Sequence, residues 1–472
     1  MIEARNIVYD LADQQPVRTS AVRQAFLPFV LTARLAKPSA AAGGERSASR
    51  AALLLPIVAF AAATALSLTV LGGLMMFIEQ PRFDSIYILF AGFAAVVLFV
   101  PLLSLGGAAA RLSARRRDDR LSTLRLLGAS SATVAAMTIL ESAALALIGA
   151  LAGIVLYLVL LPIVGLLSFG GGAVGSGLLL LSPGLISLVV CAMVLLSAIS
   201  ALLSIRTVVL SPLGVRMRTN APPLRKWMFV IVAAIILLCV GMLQMLSAAA
   251  SEAMVITMVF GAFGAGIAVL NLLGPLVIGA VARFRMRRAQ TIEQIIGLRQ
   301  ILESPKAVWR QVGGVAITSF VAVIAGSGLA ITSSVGTDGL DSASRILMAD
   351  TQTGVYVTIV ISFVMVACAV GVSQAAAVYD RAEYYRSLST IGMPLAAVDK
   401  ARRLGVIAPL RWVMAVSLGL GCLLVFPLVG MAIIFAPVSI ATMALFLAGG
   451  VGLVWLGLWA TRPLLRSLSA PA

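Results

Sequence analysis

The sequence contains no histidine, four cysteines and few charged residues. Histidine is the commonest metal ligand and the commonest general base near neutral pH. No HExxH, GxSxG or CxxC motif occurs, and all four cysteines lie inside apolar runs, so no disulfide framework is expected. These absences indicate that the chain is not an enzyme and holds no metal.

A nucleotide-binding loop is also missing. A Walker A loop requires Gly-Lys-Ser/Thr, because its backbone N–H groups and its lysine surround the phosphates. The chain has four lysines, and the residues that precede them are Ala36, Arg225, Pro305 and Asp399. The glycine-rich run at residues 168–177 has no lysine and is typical of a flexible connector. No cofactor is therefore expected on this chain, and any ATP and Mg²⁺ must bind to a partner protein.

Long apolar runs dominate what is present. The chain is 61% hydrophobic and 11% charged, with a mean hydropathy of +1.08, whereas soluble domains are about 25% charged. Runs of about 20 apolar residues can cross a bilayer, and in lipid they must satisfy their backbone internally as helices. The sequence predicts an all-α polytopic membrane protein with about ten spans, at residues 51–78, 86–110, 143–168, 182–205, 227–248, 254–280, 312–334, 353–378, 405–434 and 438–461.

Basic residues are concentrated on one predicted side of the membrane. An even number of spans places both termini on that side, and only Arg82 and Arg345 of the 35 basic residues fall on the other. The positive-inside rule makes the basic side cytoplasmic. We expect a multi-pass protein of the bacterial plasma membrane, in contact with lipid, with a cytoplasmic N-terminal segment at residues 1–50 and a cytoplasmic tail at residues 462–472. Nucleic-acid binding is not expected, because the basic residues are spread over several loops without interleaved aromatic residues.

Two charged islands on the basic side resemble each other. They read RRRDDRLSTLRLLGAS from Arg115 and DRAEYYRSLSTIGMP from Asp380, and they align when Gly128 is placed on Gly392. Each island follows one apolar span and precedes two more. The sequence therefore predicts two parallel three-helix repeats, spans 2–4 at residues 86–205 and spans 8–10 at residues 353–461, related by an axis along the membrane normal. Spans 5–7 occupy residues 227–334.

The islands are predicted to be short helices with one apolar stripe each. A glycine after each stripe suits the left-handed position that ends a helix. A solvated loop is the alternative for a single island, but two copies in register favour a docking element for a cytoplasmic partner. The stripes and their glycines comprise Leu121, Leu124, Leu127 and Gly128 in the first island, and Tyr384, Leu388, Ile391 and Gly392 in the second.

The first island resembles the signature of FtsX-like permeases, the membrane subunits of one class of ABC transporter. Their pattern is a basic run, an acid, L-R-x-L-G-A-S, a short helix and a glutamate, which Glu141 matches. The second island departs from the pattern at Ser389, at Met393-Pro394 and at Gly405. The resemblance implies a separate cytoplasmic ABC ATPase, with the stripe residues, both glycines and Glu141 as its docking and coupling residues.

Ten spans with repeats at 2–4 and 8–10 are most similar to the bacitracin-resistance (BceB-like) group, which handles antimicrobial peptides with a dimeric ATPase. This chain lacks that group's large extracellular domain, because only about 18 residues join spans 7 and 8. The resemblance implies a permease that docks two ATPase copies. Because the outer connections at residues 169–181 and 335–352 are too short to fold as a receptor domain, we expect the spans to bind an amphiphilic substrate for export or extraction, such as an antimicrobial peptide or a lipid-like molecule.

Two other functions stay open. An ion-coupled secondary transporter usually places titratable residues inside the membrane, whereas the polar candidates inside these spans are Asn271 and Gln374. A non-transporting scaffold of the FtsX type would transmit force to an external partner, but the outer connections at residues 169–181 and 335–352 are too short to fold as domains. Residues 23–37 have an apolar side and form a candidate interfacial helix.

Overall fold

The fold is a bundle of long helices. The computed structural model describes residues 43–115, 131–209, 251–334, 341–380, 392–426 and 437–460, with a few isolated positions between these ranges. The helices in this part of the chain are α1 (Gly43–Glu79), α2 (Ser85–Arg115), α3 (Ser131–Val164), α4 (Pro183–Val209), α5 (Glu252–Met286), α6 (Ile292–Glu303), α7 (Pro305–Ser334), α8 (Ser342–Asp380), α9 (Leu395–Leu424) and α10 (Pro437–Ala460).

Nine of these helices, all except α6, are long and apolar enough to cross a membrane. They confirm the predicted all-α polytopic class. The predicted span at residues 227–248 and the predicted interfacial helix at residues 23–37 lie outside the described ranges, apart from isolated positions in the former. Side chains such as Leu188, Leu195 and Leu203 on α4 are exposed, as expected for a helix that is apolar on all sides and faces lipid.

Two groups of four helices share several of their packing contacts. In one group α1 packs against α2 and α3, and in the other α7 packs against α8 and α9. Helix α4 packs on α2 as α10 packs on α8, and α2 and α8 meet at the centre of the bundle. The predicted three-helix repeats are therefore each preceded by a helix, α1 or α7, that packs in an equivalent way. The repeats keep their register, since α9 begins at Leu395, 264 positions after the start of α3 at Ser131.

Glycines allow α1 and α3 to approach closely. A Cβ atom on Gly149 would lie 2.5 Å from the Cβ of Phe60, and one on Gly153 would lie 2.7 Å from the carbonyl oxygen of Ala61. This close approach is typical of small-xxx-small helix pairs in membranes. The equivalent pair, α9 and α7, meets at Gly421, where a Cβ would lie 3.1 Å from Val323.

Helix α7 is the most buried of the candidate spans. The indole Nε1 of Trp309 on α7 donates a 3.1 Å hydrogen bond to Oδ1 of Asn271 on α5. On its other side, Gln374 of α8 donates a 3.3 Å hydrogen bond to Oε1 of Gln311. Both polar residues expected inside spans therefore join helices to α7, because a polar group buried among apolar side chains needs a hydrogen-bond partner.

A small β-hairpin covers one end of the bundle. Strands β1 (Ser168–Phe169) and β2 (Gly172–Ala173) pair antiparallel, and a 3₁₀ turn follows at Ser176–Leu179. The hydroxyl of Tyr157 on α3 holds this segment, because it donates to the carbonyl of Leu179 at 2.5 Å and accepts from the backbone N–H of Leu181 at 3.1 Å. We call this end of the bundle the hairpin side and the opposite end the basic side.

Helix α8 begins on the hairpin side earlier than the sequence predicts. The predicted connection at residues 335–352 is helical from Ser342. The carboxylate of Asp341 explains the start, since its Oδ1 accepts a 3.3 Å hydrogen bond from the N–H of Ser344, as an N-cap residue does. Hydrogen bonds from Ser344 to this carboxylate lower the pKa of Asp341. The early start places Asp350 within α8.

Candidate functional site

On the basic side, the turn after the second island has the predicted geometry. Gly392 has a φ of +88°, in the left-handed region that a side chain with a Cβ atom rarely adopts. Pro394 then occupies the N-cap position of α9, which begins at Leu395. The island and α9 are therefore joined by a sharp turn of defined conformation.

Helix α6 supports α9 immediately after this turn. A Cβ atom on Gly297 of α6 would lie 2.8 Å from the carbonyl oxygen of Ala401, so the two helices are in backbone contact. Lys400 and Glu293 add an ion pair with an N–O distance of 3.8 Å. Hydrogen bonds from the backbone N–H of Glu293 itself and from Thr291, together with the charge of Lys400, lower the pKa of Glu293. Helix α6 thus forms a base under the first turns of α9.

A buried charged cluster joins the start of α9 to the end of α10. The carboxylate of Asp399 contacts Arg402 at 3.1 Å and Arg403 at 2.6 Å. Arg402 also donates a 3.3 Å hydrogen bond to the carbonyl of Leu458 on α10. Its side chain is 3% exposed, and a charge so deeply buried requires such partners. The hydrogen bond from Arg402 to Leu458 links the start of α9 to the end of α10.

Of the predicted docking and coupling residues, Gly392 and Glu141 lie within the described ranges. Glu141 is half-buried in α3, and the candidate membrane span of that helix runs from Ala135 to Val164, so it includes Glu141. The remaining predicted residues lie outside the described ranges. They are Leu121, Leu124, Leu127, Gly128, Tyr384, Leu388 and Ile391.

The second repeat departs from the first at the glutamate position, where the structure places a glycine beside α6. Gly405 occupies the place in α9 that Glu141 has in α3. A Cβ atom on Gly405 would lie 3.5 Å from Oε1 of Gln300 and 3.9 Å from the carbonyl oxygen of Gly297, both on α6. A side chain at this position would therefore begin in contact with α6.

On the hairpin side, a cavity of about 550 Å³ lies between the two halves of the bundle. Its walls are the hairpin-side parts of α1, α2, α7 and α8, and the hairpin segment contributes Phe169, Val174 and Leu179. Helices α1 and α7 are equivalent in the two groups, as are α2 and α8, so the cavity lies where the halves meet. Its volume is within the range typical of small-molecule sites, about 300 to 1,000 Å³.

Asp350 is the charged residue among the described residues that line this cavity. Its side chain is buried, with 7% of the residue exposed. Oδ2 accepts a 2.8 Å hydrogen bond from the hydroxyl of Tyr87 and a 2.7 Å hydrogen bond from the backbone N–H of Gly170 in the hairpin turn. The carboxylate therefore joins α8, α2 and the hairpin at the rim of an otherwise apolar space.

Comparison with known proteins agrees with the sequence resemblance over part of the chain. Residues 92–213 match the family described as FtsX-like permease C-terminal. No curated protein and no solved structure matches the chain. The match covers most of α2, all of α3 and α4, and the first island, so it supports an ABC-type permease subunit. Members of this family are non-catalytic membrane subunits and typically partner with an ATPase.

Proposed function

We propose that the chain is the membrane subunit of an FtsX-like ABC transporter, that a separate cytoplasmic ATPase drives it, and that it moves an amphiphilic, lipid-like substrate. The observation that carries this proposal is the repeated architecture. Residues 92–213 match the FtsX-like permease C-terminal family, and α8 to α10 repeat the register of α2 to α4. In addition, α10 packs on α8 as α4 packs on α2, and α7 packs on α8 and α9 as α1 packs on α2 and α3.

Two equivalent halves in one chain provide two equivalent docking elements. Each half carries one island between its first and second repeat helices, and the islands align through Gly128 and Gly392. ABC ATPases work as dimers, as the resemblance implies, so one permease chain would engage two ATPase protomers. This stoichiometry differs from that of a permease with one half per chain, which must itself dimerise.

The contacts on the basic side suit the transmission of force from the ATPase. The second island enters α9 through the Gly392 turn, and α9 is braced by α6 and tied to α10 by Asp399 and Arg402. A push on the island would therefore act on α9 and, through the hydrogen bond of Arg402, on the end of α10. Because α8 and α9 both adjoin α7, this movement can reach the cavity at the centre of the bundle.

The apolar cavity favours an amphiphile as substrate. It is lined mainly by aliphatic and aromatic side chains of α1, α2, α7 and α8, so it would bind the apolar part of a ligand that partitions into the membrane. A volume of about 550 Å³ fits a small lipid-like molecule better than a whole peptide antibiotic. The proposal therefore does not extend to antimicrobial-peptide resistance.

The buried position of Asp350 favours a second candidate function, that of an ion-coupled secondary transporter. A buried carboxylate inside a transporter cavity is typical of ion-coupling sites. The two candidates differ in energy source. A secondary transporter requires an ion gradient and no ATPase, whereas the proposed permease is inactive without its ATPase.

Isolation of the native complex distinguishes the ABC permease from the secondary transporter. The tagged chain is purified from membranes of its natural host in parallel with the stripe variants Leu124→Asp and Ile391→Asp. Two control variants, Ser122→Asp and Thr390→Asp, change residues outside the apolar stripes of the predicted island helices. Burial of one Leu or Ile side chain contributes roughly 1.5–3 kcal/mol, so an aspartate on a stripe should weaken docking at least about tenfold. We expect an ABC ATPase with a Walker A motif to co-elute with the wild type and with both controls.

In the two stripe variants, the ATPase should no longer co-elute with the permease, while the amount of permease in the membrane is unchanged. The permease purified alone should hydrolyse no ATP. Absence of any nucleotide-binding subunit from the wild-type complex, together with transport that follows an ion gradient, would establish the secondary transporter instead.

A further inference from the structure

We propose that the cavity on the hairpin side binds a single-chain cationic amphiphile, with the carboxylate of Asp350 bound to the cationic headgroup and the apolar walls around the chain. This inference rests on the proposed function, since it names the substrate class and the residues that select it. It assigns Asp350 a role in ligand recognition.

The dimensions of the cavity match one leaflet of a bilayer. The lining residues of α8 run from Asp350 to Ile361, and those of α2 run from Tyr87 to Leu98. At 1.5 Å per residue each stretch is about 16 Å long, close to half of the roughly 30 Å hydrocarbon thickness. Asp350 and Tyr87 lie at the hairpin-side end of these stretches. A ligand with its headgroup at Asp350 would therefore place its chain at the depth of the lipid chains.

Among the described polar side chains that line the cavity, the carboxylate of Asp350 is the group that can bind a ligand. Apart from Tyr87 and Asp350, the polar side chains among the described residues that line the cavity are three threonines. Thr69, Thr351 and Thr358 each donate their hydroxyl hydrogen to a carbonyl of their own helix, at 2.9, 2.7 and 2.7 Å. Their hydrogen atoms are therefore already used, so the side chains of the described wall offer no strong donor to an anionic or a neutral polar headgroup.

Asp350 itself keeps the capacity to bind a cation. Its two hydrogen bonds both fall on Oδ2, from Tyr87 and from the N–H of Gly170. A carboxylate has about four acceptor positions on its two oxygens, so Oδ1 is available for a further partner. Within the described ranges, no lysine or arginine forms an ion pair with Asp350. An unpaired buried carboxylate is costly, and a bound ammonium group would remove that cost.

The two existing hydrogen bonds would orient the carboxylate for this role. The hydroxyl of Tyr87 comes from α2 and the N–H of Gly170 from the hairpin, so Oδ2 is held from two directions. The backbone at Gly170 has a φ of +66°, which fixes the turn that presents this N–H. The carboxylate is therefore held at the rim of the cavity before a cation binds.

Direct binding measurements test the site without the ATPase. The permease is incorporated into lipid nanodiscs, and radiolabelled dodecyltrimethylammonium is bound in the presence of unlabelled dodecyl sulfate or dodecyl maltoside as competitors with the same chain. The variant is Asp350→Asn, which keeps the shape of the side chain and removes its charge. The control is Asp84→Asn, which removes an exposed acid on the same side of the bundle.

We expect saturable binding of the cation to the wild type and to the Asp84 variant. We expect a loss of affinity of at least about tenfold in Asp350→Asn, because the variant removes the buried negative charge that attracts the quaternary ammonium group. Dodecyl sulfate should compete poorly. Equal affinity of the wild type and Asp350→Asn for dodecyltrimethylammonium would overturn the proposal, as would stronger binding of dodecyl sulfate than of the cation.

A second variant tests the cavity if Asp350→Asn does not fold. Gly73 of α1 lines the cavity, and a Cβ atom there would meet no atom within 4 Å, so Gly73→Leu should fill the space without strain. The control is Gly92→Leu on α2, which also has open space and does not line the cavity. Gly73→Leu should weaken binding of the cation and Gly92→Leu should not. Unchanged binding in Gly73→Leu would contradict the site.

The outcome for the site is separable from the outcome for the proposed function. If amphiphiles stimulate the ATPase complex equally in wild type and Asp350→Asn, the permease function stands and the Asp350 site is wrong. If the cation binds at Asp350 but no ATPase associates with the chain, the site stands and the ABC assignment is wrong.

Discussion

The hydroxyl of Tyr87 donates a 2.8 Å hydrogen bond to the carboxylate of Asp350, and the two residues lie 263 positions apart in the sequence. This separation is one position short of the 264-residue offset between the two repeats. The bond therefore joins almost equivalent positions of α2 and α8, across the line where the halves of the bundle meet. It closes the hairpin-side rim of the cavity between the first helices of the two repeats.

Removal of this hydroxyl should loosen the rim. Tyr87→Phe leaves Asp350 with the N–H of Gly170 as its described donor, and we expect a loss of about 1 kcal/mol in the free energy of unfolding. Hydrogen exchange at the Gly170 amide should become faster in the variant. The matched control is Tyr356→Phe, because the hydroxyl of Tyr356 has the neutral partners Thr442 and Gln352 and lies away from the hairpin. An unchanged Gly170 exchange rate in Tyr87→Phe would show that the bond does not hold the rim.

The Gly392 turn should require its glycine. An L-residue in the left-handed region costs about 1–2 kcal/mol, and β-branched residues tolerate it least. Gly392→Val should therefore reduce ATPase activity that depends on the permease, whereas Gly392→Asn should retain most of it, since asparagine adopts this conformation more readily. The measurement is ATP hydrolysis by the isolated complex in nanodiscs. Equal activity of the two variants would indicate that the turn conformation is unimportant for coupling.

The close contact of α1 and α3 should not accept a larger residue. Gly153→Val would place its Cβ atom against Ala61 and Thr64, and overpacking of this kind typically costs 1–3 kcal/mol. Gly419→Val provides the control, because a Cβ atom on Gly419 meets no atom within 4 Å. We expect a clearly lower midpoint of thermal unfolding for Gly153→Val and a small change for Gly419→Val. Similar midpoints for both variants would contradict the packing of α1 on α3.

The spans and the repeat could be predicted from sequence because they depend on simple physical rules. Long uncharged runs must be helical in lipid, and the two islands share residues at one offset. Helix α6 was missed because residues 283–310 carry seven basic residues and read as a charged loop. The signal for it was present, since Thr291 and Gln294 form a T-x-x-Q pattern before an apolar run. Thr291 does cap the helix, accepting from the N–H of Gln294 at 3.4 Å.

The cavity residues could not be predicted from the sequence. Asp350 appeared to belong to a connection, because hydropathy alone set the start of the span at residue 353. The N-cap signal at Asp341 shows that the helix starts earlier, but nothing in the pattern pairs Asp350 with Tyr87 or with Gly170. Contacts of this kind arise from the packing of α2 against α8 and from the conformation of the hairpin, which are tertiary features.

The orientation in the membrane is a prediction of the charge distribution. In a variant without native cysteines, Ser122→Cys in the first island should resist an impermeant maleimide in whole cells and react after permeabilisation. Ala173→Cys, at an exposed position of the hairpin, should react in whole cells and serves as the control for accessibility. Labelling of the Ser122 variant in intact cells would invert the orientation and remove the islands from the cytoplasm.

ATP hydrolysis by the reconstituted complex tests the central claim most directly. The permease and its co-purified ATPase are placed in nanodiscs, and hydrolysis is measured with dodecyltrimethylammonium, with other amphiphiles and with small hydrophilic solutes. An ATP-driven permease for lipid-like substrates predicts saturable stimulation by amphiphiles, no stimulation by hydrophilic solutes, and no hydrolysis by the permease alone. Saturable stimulation by the hydrophilic solutes alone would contradict the account.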